Sequence, residues 1–105
     1  MALYYNIVGG TLPTVELLEP NLVNRQSVNN ILLTNVHATA DATVTLFIQD
    51  DPASGTTNTY NIIHTIAIPA DTSLVLDNPK MFKFDNSYGL YITVGGSDTV
   101  DVIIT

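Results

Sequence analysis

Ala42-Thr43-Val44-Thr45-Leu46-Phe47-Ile48-Gln49 alternates between apolar and polar side chains. Val44, Leu46 and Ile48 share one face, and Thr43, Thr45 and Gln49 share the other. A period of two is that of a strand buried on one side. Phe47 breaks the pattern by standing among the polar positions. Outward from this segment the same logic repeats. Residues 28–36 read as a strand with Ile31, Leu33 and Asn35 on one face, separated from 42–49 by the turn His37-Ala38-Thr39-Ala40-Asp41. Past the polar, turn-rich stretch Asp50 to Asn58, residues 59–68 place Tyr60, Ile62, His64, Ile66 and Ile68 on one face. Their other face carries Ile63 and Ala67, so this strand is expected to be covered on both sides.

Turn residues divide the remainder. Pro69-Ala70-Asp71 leads into a strand at 72–76, and Asp77-Asn78-Pro79 into a short strand at 81–84. Residues 90–94 and 99–105 read as a terminal hairpin across Gly95-Gly96-Ser97-Asp98. At the other end, residues 3–8 form a strand stopped by Gly9-Gly10. The stretch from Thr11 to Ser27 holds Pro13 and Pro20, with either a strand near 14–18 or one helical turn. The expectation is one all-β domain over residues 1–105, an antiparallel β-sandwich of about seven to nine strands. Its topology would be Greek-key/immunoglobulin-like or jelly-roll. Residues 28–105 would form the sandwich core, and residues 1–27 an N-terminal strand and extended arm pinned on its own sheet or on a neighbouring chain.

Composition supports strands and narrows function. Thr, Val and Ile supply 34 of the 105 residues, and β-branched side chains favour strands. Charged residues make up only 12% of the chain, about half the usual share. Ten carboxylates face three cations, Arg25, Lys80 and Lys83, for a net charge of −7. Such a surface repels phosphate backbones and anionic lipid, so neither nucleic acid nor membrane is an expected partner. The start lacks a basic n-region, and no apolar run approaches the ~18 residues of a membrane span; a soluble protein is expected. With no cysteine, disulfides and thiolate metal sites are ruled out.

No motif for catalysis emerges. The two histidines, His37 and His64, lack metal-ligand spacing. Asp50-Asp51 could draw a calcium ion with Asp41 or Asp98, but the EF-hand spacing is missing. There is no nucleophile elbow, and Gly9-Gly10 and Gly95-Gly96 are turn signals rather than phosphate loops. The chain is therefore expected to be no enzyme and to need no metal or cofactor.

The informative excess lies on faces that ought to be wet. Phe47, Ile63, Ala67, Val75 and Ile103 all stand opposite the core stripe of their strands, with only 13 charged residues to keep such faces hydrated. Tyr4 and Tyr5 are adjacent and so point to opposite faces of their strand. Tyrosine suits interfaces because its ring is apolar and its hydroxyl polar. These seven residues are the candidate interface. A carbohydrate-binding module is the alternative of another class, and would need Phe47, Tyr60 and Tyr91 on one exposed face.

Ile31-Leu32-Leu33-Thr34-Asn35, Ala42-Thr43-Val44-Thr45-Leu46 and the run Ile66 to Leu76 (IAIPADTSLVL) resemble small β-sandwich virion proteins of tailed bacteriophages. Leu90-Tyr91-Ile92-Thr93 and Val100-Asp101-Val102-Ile103-Ile104 fit the same pattern, so the resemblance covers Val28 to Thr105. It implies a non-enzymatic particle component assembled in the host cytoplasm and located in the virion. Capsid decoration (cement) is the leading role; a neck, tail, fibre or baseplate subunit is the alternative. The implied partners are the major capsid protein or other virion subunits, with a trimer or dimer of the chain itself. No catalytic residue comes with the resemblance.

Overall fold

The computed structural model describes residues 2–23, 26–50 and 57–105. The tip of the expected polar loop, including Asp51, lies outside the described residues, as do Met1, Asn24 and Arg25. The strands are β1 (Leu3–Val8), β2 (Thr14–Leu18), β3 (Ile31–Asn35), β4 (Ala42–Asp50), β5 (Thr59–Ile68), β6 (Ser73–Leu76), β7 (Tyr88–Val94) and β8 (Thr99–Ile104). They build two four-stranded sheets, β1-β8-β3-β6 and β2-β7-β4-β5, paired antiparallel throughout. Every connection except β4–β5 crosses from one sheet to the other. That order is the double Greek key of a jelly roll.

The core is where the two inner stripes meet. Ile31, Leu33, Val100, Val102 and Ile104 from the first sheet face Val44, Leu46, Leu90, Ile92 and Val94 from the second, and all are buried. Full burial of each such side chain stabilises the fold by about 1.5–3 kcal/mol.

The strand expected at 3–8 is present, and of the two alternatives for 14–18 the structure takes the strand; β1 pairs with β8 and β2 with β7, so both are edge strands within the sandwich. Three expectations need correction. Gly95–Asp98 is not a hairpin turn. The Gly95 amide donates to Thr43 O at 3.0 Å, holding that end in the second sheet, while the Gly9 amide donates to Asp98 O at 2.9 Å and draws the chain into the first. Only glycine permits this crossing, because a Cβ on Gly9 would overlap the Gly95 carbonyl. The strand expected at 81–84 is a 3-10 turn over Pro79–Phe82. Its start is capped by Asn78, whose side-chain oxygen accepts from the Lys80 amide at 3.1 Å, and Pro79 presets the turn. Finally, β5 does not alternate simply. Its register against β4 shifts twice, between Val44 and Leu46 and between Leu46 and Phe47. Each shift inserts a residue and reverses the facing of the residues beyond it. Thr65, at φ 52°, marks one bulge, its amide donating to Thr45 Oγ1 at 2.9 Å.

The connections β1–β2, β3–β4, β5–β6 and β7–β8 gather at one end, where Asn35, the one fully buried polar side chain among the described residues, ties the β3–β4 connection to the end of β5. Its Nδ2 donates to Ala40 O at 2.8 Å and Ile68 O at 2.9 Å, while its Oδ1 accepts from the His37 amide at 2.9 Å. Asn35→Ala leaves all three groups without these partners, and is expected to cost about 2–3 kcal/mol. Urea unfolding of the variant checks this; a change within error of zero would show that the turns do not depend on Asn35.

Candidate interaction surface

Residues paired directly across strands point to the same side of a sheet, so the register reads the outer faces row by row. On the first sheet, Tyr4 pairs with Ile103, Ile103 with Leu32 and Leu32 with Val75. The row Tyr4–Ile103–Leu32–Val75 crosses the whole sheet, about 15 Å at the usual strand spacing. It is open to solvent, with Tyr4 72% and Val75 49% exposed. The next row is polar: Asn6 Nδ2 donates to Asp101 Oδ1 at 2.6 Å, and the Thr34 and Ser73 hydroxyls share a hydrogen bond at 2.8 Å. Beyond it, exposed Val8 and Val36 flank Thr99.

The outer face of the second sheet differs in kind. Thr14, Thr93 and Thr45 form one row, with the Thr14 and Thr93 hydroxyls 3.0 Å apart. Glu16, Tyr91, Phe47 and Asn61 form the next. Phe47 and Tyr91 stack at 5.6 Å between centroids and 16° between planes. The Tyr91 hydroxyl donates to Glu16 Oε2 at 3.0 Å.

These faces sort the candidate residues. Tyr4, Val75 and Ile103 converge on the first sheet, joined by Leu32, which sequence reasoning passed over. Phe47 and Ala67 lie on the second, Ala67 opposite Thr43. Ile63 is corrected: the bulges in β5 set it opposite buried Leu46, packed against the core. Tyr5 also packs inward, its hydroxyl donating to Leu17 O at 2.8 Å and joining the two edge strands. The three rings considered for carbohydrate do not share a face. Tyr60 pairs with Ile48 on the core side of its sheet and leans on Tyr88 at 5.9 Å. Phe47 and Tyr91 cover part of each other's ring faces, which a sugar platform would leave free.

Polar candidates are equally dispersed. Asp41 precedes β4 and Asp50 ends it, about 30 Å apart at ~3.4 Å per residue. Asp98 sits at the Asp41 end, accepting from the Thr43 amide at 2.9 Å. Asp50 therefore cannot share an ion with either. Hydrogen bonds from the Asn58 amide and side chain hold its carboxyl below the usual range. His37 Nε2 lies 3.1 Å from Ser97 O, and His64 is exposed beside Thr65. Among the described residues no group of three His, Asp or Glu could hold a metal. An open cleft of about 590 Å³ at the long-loop end is floored by Leu18, Val28, Phe82 and Phe84 and rimmed by Lys83 and Asp85.

No family model matches the chain, and no curated protein or solved structure does either.

Burial, and then the carboxylate of Glu16, raise the Tyr5 phenol above its ordinary value of 10.0. A raised folded-state value means that the neutral phenol's contribution is complete below 10.0 and is lost as pH climbs through the raised value. Tyr5→Phe is expected to cost about 1 kcal/mol at neutral pH and to flatten the alkaline part of the stability profile. Thermal melts of both proteins from neutral to strongly alkaline pH test this. Parallel profiles would show that Tyr5 ionisation is not linked to folding.

Proposed function

We propose that this chain is a non-enzymatic structural protein of a tailed-phage particle, acting through protein–protein contacts as a capsid decoration (cement) protein. The contact role rests on the apolar row Tyr4–Ile103–Leu32–Val75, which faces solvent across the whole of one sheet, whereas on the other a threonine row adjoins the Phe47–Tyr91 stack with Glu16 and Asn61 at its ends. An apolar band on a soluble domain marks a contact surface when nothing in its own chain covers it. The particle assignment rests on the resemblance carried by residues 28–105. Its support from the fold is analogy only: jelly rolls build viral capsid and lectin domains alike, and function resides in the surface rather than the architecture. The partner is the major capsid protein or another virion subunit. A neck, tail, fibre or baseplate position belongs to the same class and differs in copy number.

Cryo-electron microscopy of particles purified from the native source tests the proposal. Density for the chain repeated over the shell, with the β1-β8-β3-β6 sheet against capsid subunits, is the expected result. A single ring of copies moves it to the neck or tail, and absence from particles sinks the reading. Two substitutions separate contact from core. Val75→Asp is expected to change the stability of the isolated chain by about 0.5 kcal/mol or less while reducing incorporation into particles. Ile63→Asp is expected to cost about 2 kcal/mol or more through burial of a carboxylate. Normal incorporation of Val75→Asp would remove the outer row from the contact.

A further inference from the structure

Each sheet has two edges, and three of the four carry a device that discourages an added strand. β2 holds Glu16 and a register shift, and lies between Pro13 and Pro20. β5 holds two register shifts and the positive-φ residue Thr65. β6 is only four residues long. β1 has none of these. Leu3-Tyr4-Tyr5-Asn6-Ile7-Val8 contains no charge and no proline, and pairs with β8 over six consecutive positions without a shift.

The hydrogen-bond phase shows which backbone groups this edge presents. The Gly9 amide bonds Asp98 O, continuing the β1–β8 register, so the alternation of an antiparallel ladder directs Ile7, Tyr5 and Leu3 toward β8. Tyr4, Asn6 and Val8 then direct their N–H and C=O groups away from it. The Val8 carbonyl is occupied, accepting from the Thr11 and Leu12 amides at 3.0 Å. Among the described residues, the backbone groups of Tyr4 and Asn6 meet no partner.

We propose that β1 pairs antiparallel with β1 of a second copy about a two-fold axis at Tyr5, joining two four-stranded sheets into one. Symmetry and phase select the register. Tyr4 lies opposite Asn6 of the second copy, and Tyr5 opposite its own equivalent. Among symmetric registers that use the free groups and leave the Val8 carbonyl in its turn, this one overlaps the strands most. The strand itself can accept a second copy: although each chain carries −7, the paired strands bring no like charges face to face. The pairing also sets the two copies' Tyr4–Ile103–Leu32–Val75 rows on one side of the joined sheet. It rests on the edge alone and stands whether or not that face binds a capsid.

Sedimentation of the full chain over a wide concentration range tests the pairing. The expected result is a reversible doubling of the 11.3 kDa mass, strengthened by salt as the repulsion between acidic copies is screened. Asn6→Pro removes an edge-facing N–H that β8 does not use, so it is expected to abolish the doubling with little change in melting temperature. Asn6→Ala and Val75→Asp are expected to leave it intact. Amide exchange in the unmodified chain gives an answer even if Asn6→Pro fails to fold. Tyr4 and Asn6 should become protected as concentration rises, whereas Tyr5 and Ile7 should be protected throughout. A monomer at every concentration, a doubled mass that survives Asn6→Pro, or fast exchange at Tyr4 and Asn6 in the dimer would each overturn the proposal. Loss of the doubling in Val75→Asp would also overturn it, assigning self-association to the outer face.

Discussion

Everything in this fold depends on two stripes of branched side chains closing on each other. Ile31, Leu33, Val100, Val102 and Ile104 meet Val44, Leu46, Leu90, Ile92 and Val94 at the centre, and buried side chains such as Ile7, Leu17, Ile68 and Phe82 complete the core around them. Because strands alternate, committing these residues inward commits Leu32, Ile103, Thr43, Thr45 and Thr93 outward. The core thus decides what the protein shows to its surroundings. The inner faces are uniform, whereas the outer faces are not. One sheet presents an unbroken apolar row; the other presents threonines, two of which share a hydrogen bond, beside the Phe47–Tyr91 stack.

Much of this is legible in the sequence because alternation survives wherever the ladder is regular. The pattern gives β1 and β5 at their observed bounds, β2 as one of two alternatives, β4 within a residue, and β3, β6, β7 and β8 somewhat too long or too short at one or both ends. The failures share a cause: they depend on partners that a linear pattern does not name. Gly95–Asp98 has the composition of a hairpin turn and closes a turn locally, the Asp98 amide donating to Gly95 O, but its ends bond Thr43 and Gly9, remote in sequence and in different sheets. Residues 81–84 have strand-like apolar spacing, yet the Asn78 cap and Pro79 select a 3-10 turn that buries Phe82. In β5 the extra residues are visible only against β4, so simple alternation puts Ile63 on the wrong side.

The contact surface is half legible for the same reason. Val75 and Ile103 stand out as apolar residues at polar positions, but that they share a row with Tyr4 emerges only from the pairing of β1, β8, β3 and β6. Leu32 is within reach of sequence reasoning. In Ile31-Leu32-Leu33, alternation requires the middle residue to face away from its neighbours, and its apolar character then signals a covered outer face.

The edges complete the logic of the faces. A sheet with an apolar outer row and four exposed edges in the sandwich would invite uncontrolled stacking, and the short β6, the bulged β5 and the charged, proline-flanked β2 each close one direction of growth. Leaving β1 open permits growth in one direction only. Because a two-fold pairing consumes the open edge of both partners, that growth ends at two copies. The high negative charge opposes association in general, and β1, which carries none of it, adds no like-charge contact of its own. Fold and edge chemistry thus favour one limited contact between copies and leave the apolar row available to a different partner.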